Sequence, residues 1–236
     1  DPKGFWISTD TVMYRKDNSG EWKYTYGSER DADVVEKLYK LFFVNEGGYF
    51  SGVTNAITEQ LEKYNQIAGK FASGDIFIMT AEMDDSVAQL RDMKDDYGIL
   101  PYPKYDEKDE YRSAARNTHN AFSMPVTSSH PEIAGAVLEA LSSSNHETVL
   151  PAYFETALKK KYARDDDSSR MYDIIRETLT LDFGYIYNNA IGGPDWVFNN
   201  SYRKENSFAS NLASRKETFE NKLTDYMTNL RETINK

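Results

Sequence analysis

Residues 71–105 read FASGDIFIMTAEMDDSVAQLRDMKDDYGILPYPKY, and this stretch decides the predicted fold. A glycine turn leads into the apolar run 76–80, residues 83–93 suit a short helix, and a second apolar run, 98–100, ends at two prolines. Because the run 76–80 is apolar without alternation, we expect both faces of its strand to be covered. Strand, helix and strand in this order, within a chain rich in helical patterns, predict an α/β fold with an excess of helix.

A hairpin and two helices are predicted before this stretch. Residues 5–27 carry many β-forming aromatic and branched side chains on either side of the turn cluster 16–20, which predicts a β-hairpin. A calcium loop at this turn is disfavoured because no glutamate follows at the EF-hand position. Apolar residues recur at helical spacing over Ala32–Phe43 and over Val53–Phe71, which predicts a helix in each range.

Helices also dominate the second half of the predicted structure. A proline suits the first turn of a helix over Pro131–Leu141, which we expect Ser128 or Ser129 to cap and whose apolar stripe we expect to be buried. Further helical segments follow from Asn145 and over Tyr153–Tyr162, and a long amphipathic helix ends the chain.

The composition limits the functional classes. The chain has 236 residues, of which 39% are hydrophobic and 28% charged, as in a globular protein. A net charge of −10 makes nucleic acid a poor partner. The absence of cysteine excludes disulfides and cysteine-based zinc sites. The sequence contains no run of about 18 apolar residues, so no membrane span is predicted. The first residues show no signal peptide, which fits a mature or trimmed product as well as a cytosolic protein.

The usual catalytic motifs are missing from the sequence. The three histidines do not pair at i, i+4, and there is no G-x-S-x-G elbow, Walker loop or G-x-G-x-x-G fingerprint. His119 could orient a ligand, with a purely structural histidine as the alternative. Glu82 and Asp84 follow the first predicted strand, where α/β folds place ligand contacts, with a solvated turn and helix cap as the alternative. We therefore predict no enzyme, no metal site and no cofactor.

Five phrases, taken in order, resemble family 1 extracellular solute-binding proteins, the sugar-binding subunits of bacterial ABC importers. They are Phe71–Met79 (FASGDIFIM), Tyr97–Pro103 (YGILPYP), Phe122–Pro125 (FSMP), Ala136–Leu141 (AVLEAL) and Val149–Phe154 (VLPAYF).

The resemblance implies a helix-rich lobe of the periplasmic-binding-protein-like type II fold, with the other lobe largely missing from this chain. Members of the family have two α/β lobes that close on a sugar, and a membrane permease recognises the closed form. By resemblance, residues 1–120 and 164–236 belong to the second lobe and 121–163 to the first. It also implies a monomeric, extracellular protein, held at the membrane as a lipoprotein.

Several site residues follow from the resemblance. Trp196 matches the region before the final helix, where relatives supply a stacking aromatic; a buried core tryptophan is the alternative. Tyr185 and Tyr187 are expected to line the same cleft, with neighbouring amides fixing hydroxyl groups. Glu82 and Asp84 match a ligand-contacting turn. The expected function is non-catalytic capture of a carbohydrate, an oligosaccharide because aromatic residues are abundant; peptide, polyol and lipid-linked ligands stay open.

Two other functional classes stay open at this point. A carbohydrate-active enzyme needs only two carboxylates at a fixed separation, and the chain has 38 acidic residues from which to choose. A structural or interaction module could use the long helix after Asn206, although its single apolar stripe suits packing on its own domain better than a coiled coil.

Overall fold

The computed structural model describes residues 3–48, 66–116, 118, 122–163 and 165–234, without the side chains of 161 and 162. Over these residues the protein is mixed α/β and helix-rich, and its two sheets are small. The helices are α1 (Lys3–Ser8), α2 (Glu29–Tyr39), α3 (residues 66–72), α4 (Asp85–Ala88), α5 (Pro131–Ser144), α6 (Asp166–Glu177), α7 (Phe183–Ile186), α8 (Asp195–Ser201) and α9 (Phe208–Ile234). The strands are β1 (Tyr14–Lys16), β2 (Trp22–Tyr24), β3 (Ser113–Ala114) and β4 (Leu179–Thr180).

The chain divides into two compact units. The first contains the described residues within Asp1–Gln60, Tyr102–Asn117 and Thr178–Lys236, and the second those within Leu61–Pro101 and Thr118–Glu177. In the described ranges, no helix is long and apolar enough to cross a membrane. The assignment of residues to two lobes, which came from the family resemblance, stays a prediction.

The predicted hairpin is confirmed as β1 and β2, which pair antiparallel with Tyr14 opposite Tyr24. Asp17 accepts hydrogen bonds from the backbone N–H and the hydroxyl of Ser19 at 2.9 and 2.6 Å, and Gly20 takes a φ of +84° that favours glycine. This local chemistry explains why the turn was visible in the sequence. A second sheet pairs β3 with β4 in parallel over two residues each.

The first part of the range predicted as hairpin is wrong, because residues 5–7 lie in helix α1. Trp6 and Ile7 are both buried although they are adjacent, which a strand with one solvated face does not allow. Hydroxyl groups satisfy the last carbonyls of the helix: Thr9 donates to Phe5 at 2.6 Å and Thr11 donates to Trp6 at 3.0 Å. These tertiary and side-chain contacts outweigh the β propensity of the segment.

The first unit packs around an aromatic core. Phe219 of α9 lies 5.7 Å from Tyr24, and Phe198 of α8 lies 5.9 Å from Trp6, measured between ring centroids. Burial of such rings is the main stabilising term of a small unit. The buried cluster comprises Trp6, Met13, Tyr14, Tyr24, Tyr26, Val34, Val35, Leu38, Tyr185, Ile191, Val197, Phe198, Tyr202, Phe219 and Leu223.

The long helices α2 and α9 confirm the predicted helical periodicity. Helix α2 begins at a capping box, in which the Ser28 side chain accepts from the Asp31 N–H and the Asp31 side chain accepts from the Ser28 N–H. A π-helical turn, Lys40–Val44, continues it. The predicted helix over Val53–Phe71 lies partly outside the described residues, and its end appears as α3.

The second unit has a smaller core. Leu158 and Tyr172 are buried, and the Tyr172 hydroxyl donates to the Ser86 Oγ at 2.9 Å. The Ser168 hydroxyl accepts from the backbone N–H of Ile99 at 3.0 Å. Lys159 forms ion pairs with two carboxylates, Glu155 and Asp173, at 2.9 Å each.

Both strands predicted in residues 71–105 are wrong. The run 76–80 is irregular and its Phe77 and Ile78 are 93% and 69% exposed, and in the run 98–100 Leu100 is 74% exposed. In the described part of the second unit, no strand offers the ladder hydrogen bonds that a fully covered strand requires. The short helix predicted over 83–93 is confirmed only as the four-residue α4.

Helix α5 exists where it was predicted, but its surroundings differ. Its N-cap is His130 and no side chain caps it, so the expected serine cap is wrong. No residue of α5 is buried, and its apolar stripe, expected to be covered, leaves Ile133, Val137 and Leu141 at 63%, 52% and 57% exposure. The helix continues in π-helical form through Asn145–Val149, and a second π-helical segment covers Ala152–Tyr162.

The exposure of α5 predicts a contrast between two apolar substitutions in the same unit. Val137→Ser should change the free energy of unfolding by less than about 0.5 kcal/mol, as expected at an exposed site. Leu158→Ala, at a fully buried position, should lower it by about 2–5 kcal/mol. Urea denaturation of the two variants beside the wild type measures both; equal losses would mean that the α5 face is covered in solution.

The buried tyrosines predict a loss of stability at alkaline pH. Burial raises the pKa of Tyr14, Tyr24 and Tyr26 above the ordinary value of 10.0. Their contribution is fully present below pH 10.0 and is lost above it, because the unfolded tyrosines release their protons first. Urea midpoints measured from about pH 8 to about pH 11 should fall above pH 10, and Tyr26→Phe should reduce the fall. Midpoints that stay level up to pH 11 would contradict the burial of these hydroxyl groups.

Candidate functional site

A polar cleft of about 330 Å³ lies in the first unit, between the segment 188–200 and helix α9. We call it the Trp196 cleft. Four asparagine side chains line it: Asn188, Asn189, Asn199 and Asn200. Each primary amide carries two donors and an acceptor carbonyl, so the walls can both give and receive hydrogen bonds.

Two consecutive glycines shape the entrance to the cleft. Gly192 and Gly193 have φ values of +88° and +72°, in the left-handed region that side chains other than glycine rarely adopt. The N–H of Gly193 donates to the Asn188 carbonyl at 2.7 Å, and the N–H of Trp196 donates to the Gly193 carbonyl at 3.0 Å. This tight reversal is what presents α8 to the cleft.

The acidic side chain of the cleft is already engaged. Asp195 accepts a hydrogen bond from the Asn199 amide at 3.0 Å and forms an ion pair with Lys3 at 3.5 Å. Its backbone N–H donates to the Asn188 side-chain carbonyl at 3.2 Å. Asp195 therefore fixes the orientation of two asparagines, and its own charge is partly balanced.

Trp196 lies at the surface of the cleft and is 36% exposed. The alternative that Trp196 is a buried core residue is therefore wrong. Arg215 of α9 places its guanidinium 4.9 Å from the centroid of the indole ring. Its neighbour Val197 is fully buried, and this anchors the tryptophan at the boundary between core and solvent.

The two tyrosines expected beside Trp196 lie elsewhere in the same unit. Tyr185 is only 7% exposed and packs on Trp6, with 6.1 Å between ring centroids. Tyr187 is 42% exposed and lies between the rings of Phe183 and Tyr226, at 5.0 and 5.6 Å. The walls of the Trp196 cleft are formed without either ring.

The carboxylates expected at a ligand-contacting turn belong to the second unit. The backbone N–H of Glu82 donates to the Asp85 carboxylate at 2.6 Å, so part of this turn is structural. Asp84 occupies the N-cap position of α4 and is exposed, and its side chain makes no capping hydrogen bond. Burial, and to a smaller extent the Asp84 charge, raises the pKa of Tyr153. His119 lies outside the described residues, and within them no group of three or more potential ligands could hold a metal ion.

A second groove, of about 470 Å³, lies where the start of α2 meets the start of α9. Its surface is mostly apolar, and Phe208, Leu212 and Ala213 are among the residues that line it. It is larger than the Trp196 cleft, but its polar side chains are Ser28, Glu29 and Lys216, and the Ser28 hydroxyl already donates to the Asp31 carboxylate at 2.8 Å. The Trp196 cleft is therefore the better candidate for a specific ligand site.

Sequence reasoning missed Asn199, Asn200 and Arg215. The two asparagines follow Trp196 by three and four positions, so the helical spacing of α8 could have placed them beside it. Arg215 carried no such signal, because its approach to Trp196 depends on how α8 and α9 pack.

Alanine at Gly193 is predicted to cost stability and to disturb the cleft. A Cβ at this position meets no atom within 4 Å, so the cost comes from the positive φ alone and should be about 1 kcal/mol. Gly20→Ala is the matched control, with a φ of +84° and equally open space at the hairpin turn. Both variants should unfold at lower urea concentration, but only Gly193→Ala should shift the Trp196 emission. An unchanged emission would show that this glycine does not shape the cleft.

Comparison of the chain with models of protein families gives no match. Comparisons with curated proteins and with solved structures give none either. The proposal of a function therefore depends on the geometry of the Trp196 cleft and on the motifs in the sequence.

Proposed function

We propose that this protein captures a carbohydrate, an oligosaccharide, without changing it chemically. The observation that carries the proposal is a partly exposed tryptophan surrounded by four asparagines and an aspartate in a cleft of about 330 Å³. A sugar ring offers an apolar face of C–H groups and a rim of hydroxyl groups. The cleft offers an aromatic surface for the first and amides for the second.

The amides favour hydroxyl-rich ligands over apolar ones. A sugar hydroxyl both donates and accepts, and an asparagine side chain has both capacities within one group. The Asp195 carboxylate keeps acceptor sites beside its contacts with Lys3 and Asn199, and hydrogen bonds to a charged acceptor are stronger than neutral ones. Since Asn188 and Asn199 are held by their contacts with Asp195, less side-chain entropy is lost when a ligand binds.

The proposed setting is the outer face of a membrane, where the protein delivers its sugar to an ABC permease. This part of the proposal comes from the five phrases that resemble family 1 solute-binding proteins. The exposed apolar stripe of α5 is compatible with it, since residues 121–163 would belong to the first lobe of that family and pack within it. We propose, on the same basis, a monomer tethered as a lipoprotein.

A fluorescence titration tests the capture of carbohydrate. The full chain is titrated with neutral and acidic oligosaccharides, and the products are analysed by chromatography. We expect a saturable change in tryptophan emission with no breakdown of the sugar. Trp196→Phe should abolish the change in emission. Trp196→Ala, which removes the stacking ring, should weaken binding measured by calorimetry by up to about tenfold, since a stacked aromatic contributes up to about 1.5 kcal/mol.

Trp22→Phe is the matched control, because Trp22 stacks on Phe183 at 4.1 Å and takes no part in the cleft. This variant should keep both the affinity and the saturable change. Binding of unchanged affinity in Trp196→Ala would move the site away from the cleft. Breakdown of the sugar that depends on Glu82 or Asp84 would favour an enzyme instead.

A further inference from the structure

The cation of the Trp196 cleft differs from several other arginines of this protein. Arg30 pairs with Asp109 at 2.6 Å and Arg176 with Glu155 at 3.4 Å. Arg215 contacts the Trp196 ring, and across the described ranges no ion pair joins it to a carboxylate. Its side chain is exposed on α9, at the wall of the cleft.

The charges around the cleft leave Arg215 available to a ligand. Asp195, the carboxylate of the cleft, is already bound by Lys3 and Asn199. Lys222 packs beside Gly192 at the same edge, with its Cγ 3.1 Å from the point that a Cβ would occupy at that glycine. Of the residues that line the cleft, Arg215 carries the positive charge and Asp195 the negative charge, and the negative charge is paired with Lys3.

Contact with an aromatic ring leaves the hydrogen-bonding capacity of a guanidinium intact. Arginine has five N–H donors in a planar fork, which matches the two oxygens of a carboxylate. The ring contact engages the charge rather than these donors. The guanidinium covers part of the indole ring and lies in the wall of the same cleft, so a sugar ring that packs on the uncovered part of the indole is next to the fork.

We propose that Arg215 makes the Trp196 cleft selective for oligosaccharides that carry a carboxylate, such as those built from uronic acids. The sugar ring lies on the exposed indole surface, the asparagines bind its hydroxyl groups, and Arg215 binds its carboxylate through two parallel N–H···O hydrogen bonds. The inference rests on the proposed carbohydrate binding, because it names the class of sugar at that same site.

Matched pairs of ligands test this selectivity directly. Each pair consists of a uronic-acid oligosaccharide and the same oligosaccharide after reduction of its carboxyl groups to neutral CH₂OH groups. Calorimetric titration of the full chain should give at least about tenfold tighter binding for the acidic member of the preferred pair. This preference should weaken as salt concentration rises, because the proposed ion pair is accessible to solvent.

Three variants separate the charge of Arg215 from general effects. Arg215→Gln should lower the affinity for the acidic member to the affinity for its neutral partner. Arg215→Lys, which keeps the charge without the planar fork, should retain a smaller preference. Lys216→Gln removes the same charge from the next residue, which lines the apolar groove, and should leave the preference unchanged.

The outcomes distinguish this inference from the proposed function. Equal binding of acidic and neutral members by the wild type would overturn the selectivity and leave carbohydrate binding in place. A preference that persists in Arg215→Gln would overturn the role of Arg215. No binding of any member of any pair would overturn both proposals.

Discussion

The packing of Phe219 connects the core of the first unit with the Trp196 cleft. Its ring is 1% exposed, lies 5.7 Å from Tyr24 in the hairpin and also contributes to the wall of the cleft. Arg215 precedes it by one helical turn and therefore lies on the same side of α9. Burial of Phe219, together with Leu223 one turn further on, thus fixes the rotation of α9, and that rotation places the guanidinium over Trp196.

A second constraint acts on the other wall of the cleft. Helix α8 is short, and its buried Val197 and Phe198 leave little freedom of rotation. Trp196, immediately before them, must lie at the edge of the core. The double-glycine reversal before α8 then brings Asn188 against Asp195, so that the polar groups of the cleft are held by backbone geometry and by one another.

Local chemistry explains which elements the sequence could predict. The hairpin turn has its Asp-Asn-Ser-Gly signal, α2 begins at a capping box, and α9 shows a continuous apolar stripe. The strands expected at 76–80 and 98–100 were wrong because an apolar run specifies burial only if other elements cover it. The apolar stripe of α5 shows the same limit, since the predicted helical spacing was correct and the predicted burial was not.

The site residues show the same difference between local sequence signals and tertiary packing. Trp196 was expected from the family resemblance, and the structure places it in the wall of the cleft. Tyr185 was expected in the same cleft, yet it packs into the core, since which side of α7 faces inward depends on Trp6 far away in sequence. Arg215 could not be predicted at all, because its position relative to Trp196 is set by tertiary packing.

The indole N–H resonances of the three tryptophans offer the most direct test of carbohydrate capture at this cleft. Trp6 is fully buried in the core, Trp22 stacks on Phe183, and Trp196 lines the cleft. The Trp196 signal is assigned by its loss in Trp196→Phe. In ¹H–¹⁵N spectra recorded during titration with a pool of oligosaccharides, the Trp196 signal should shift and saturate while the Trp6 signal stays in place. A spectrum in which no indole signal moves, or in which only Trp6 or Trp22 responds, would contradict the account.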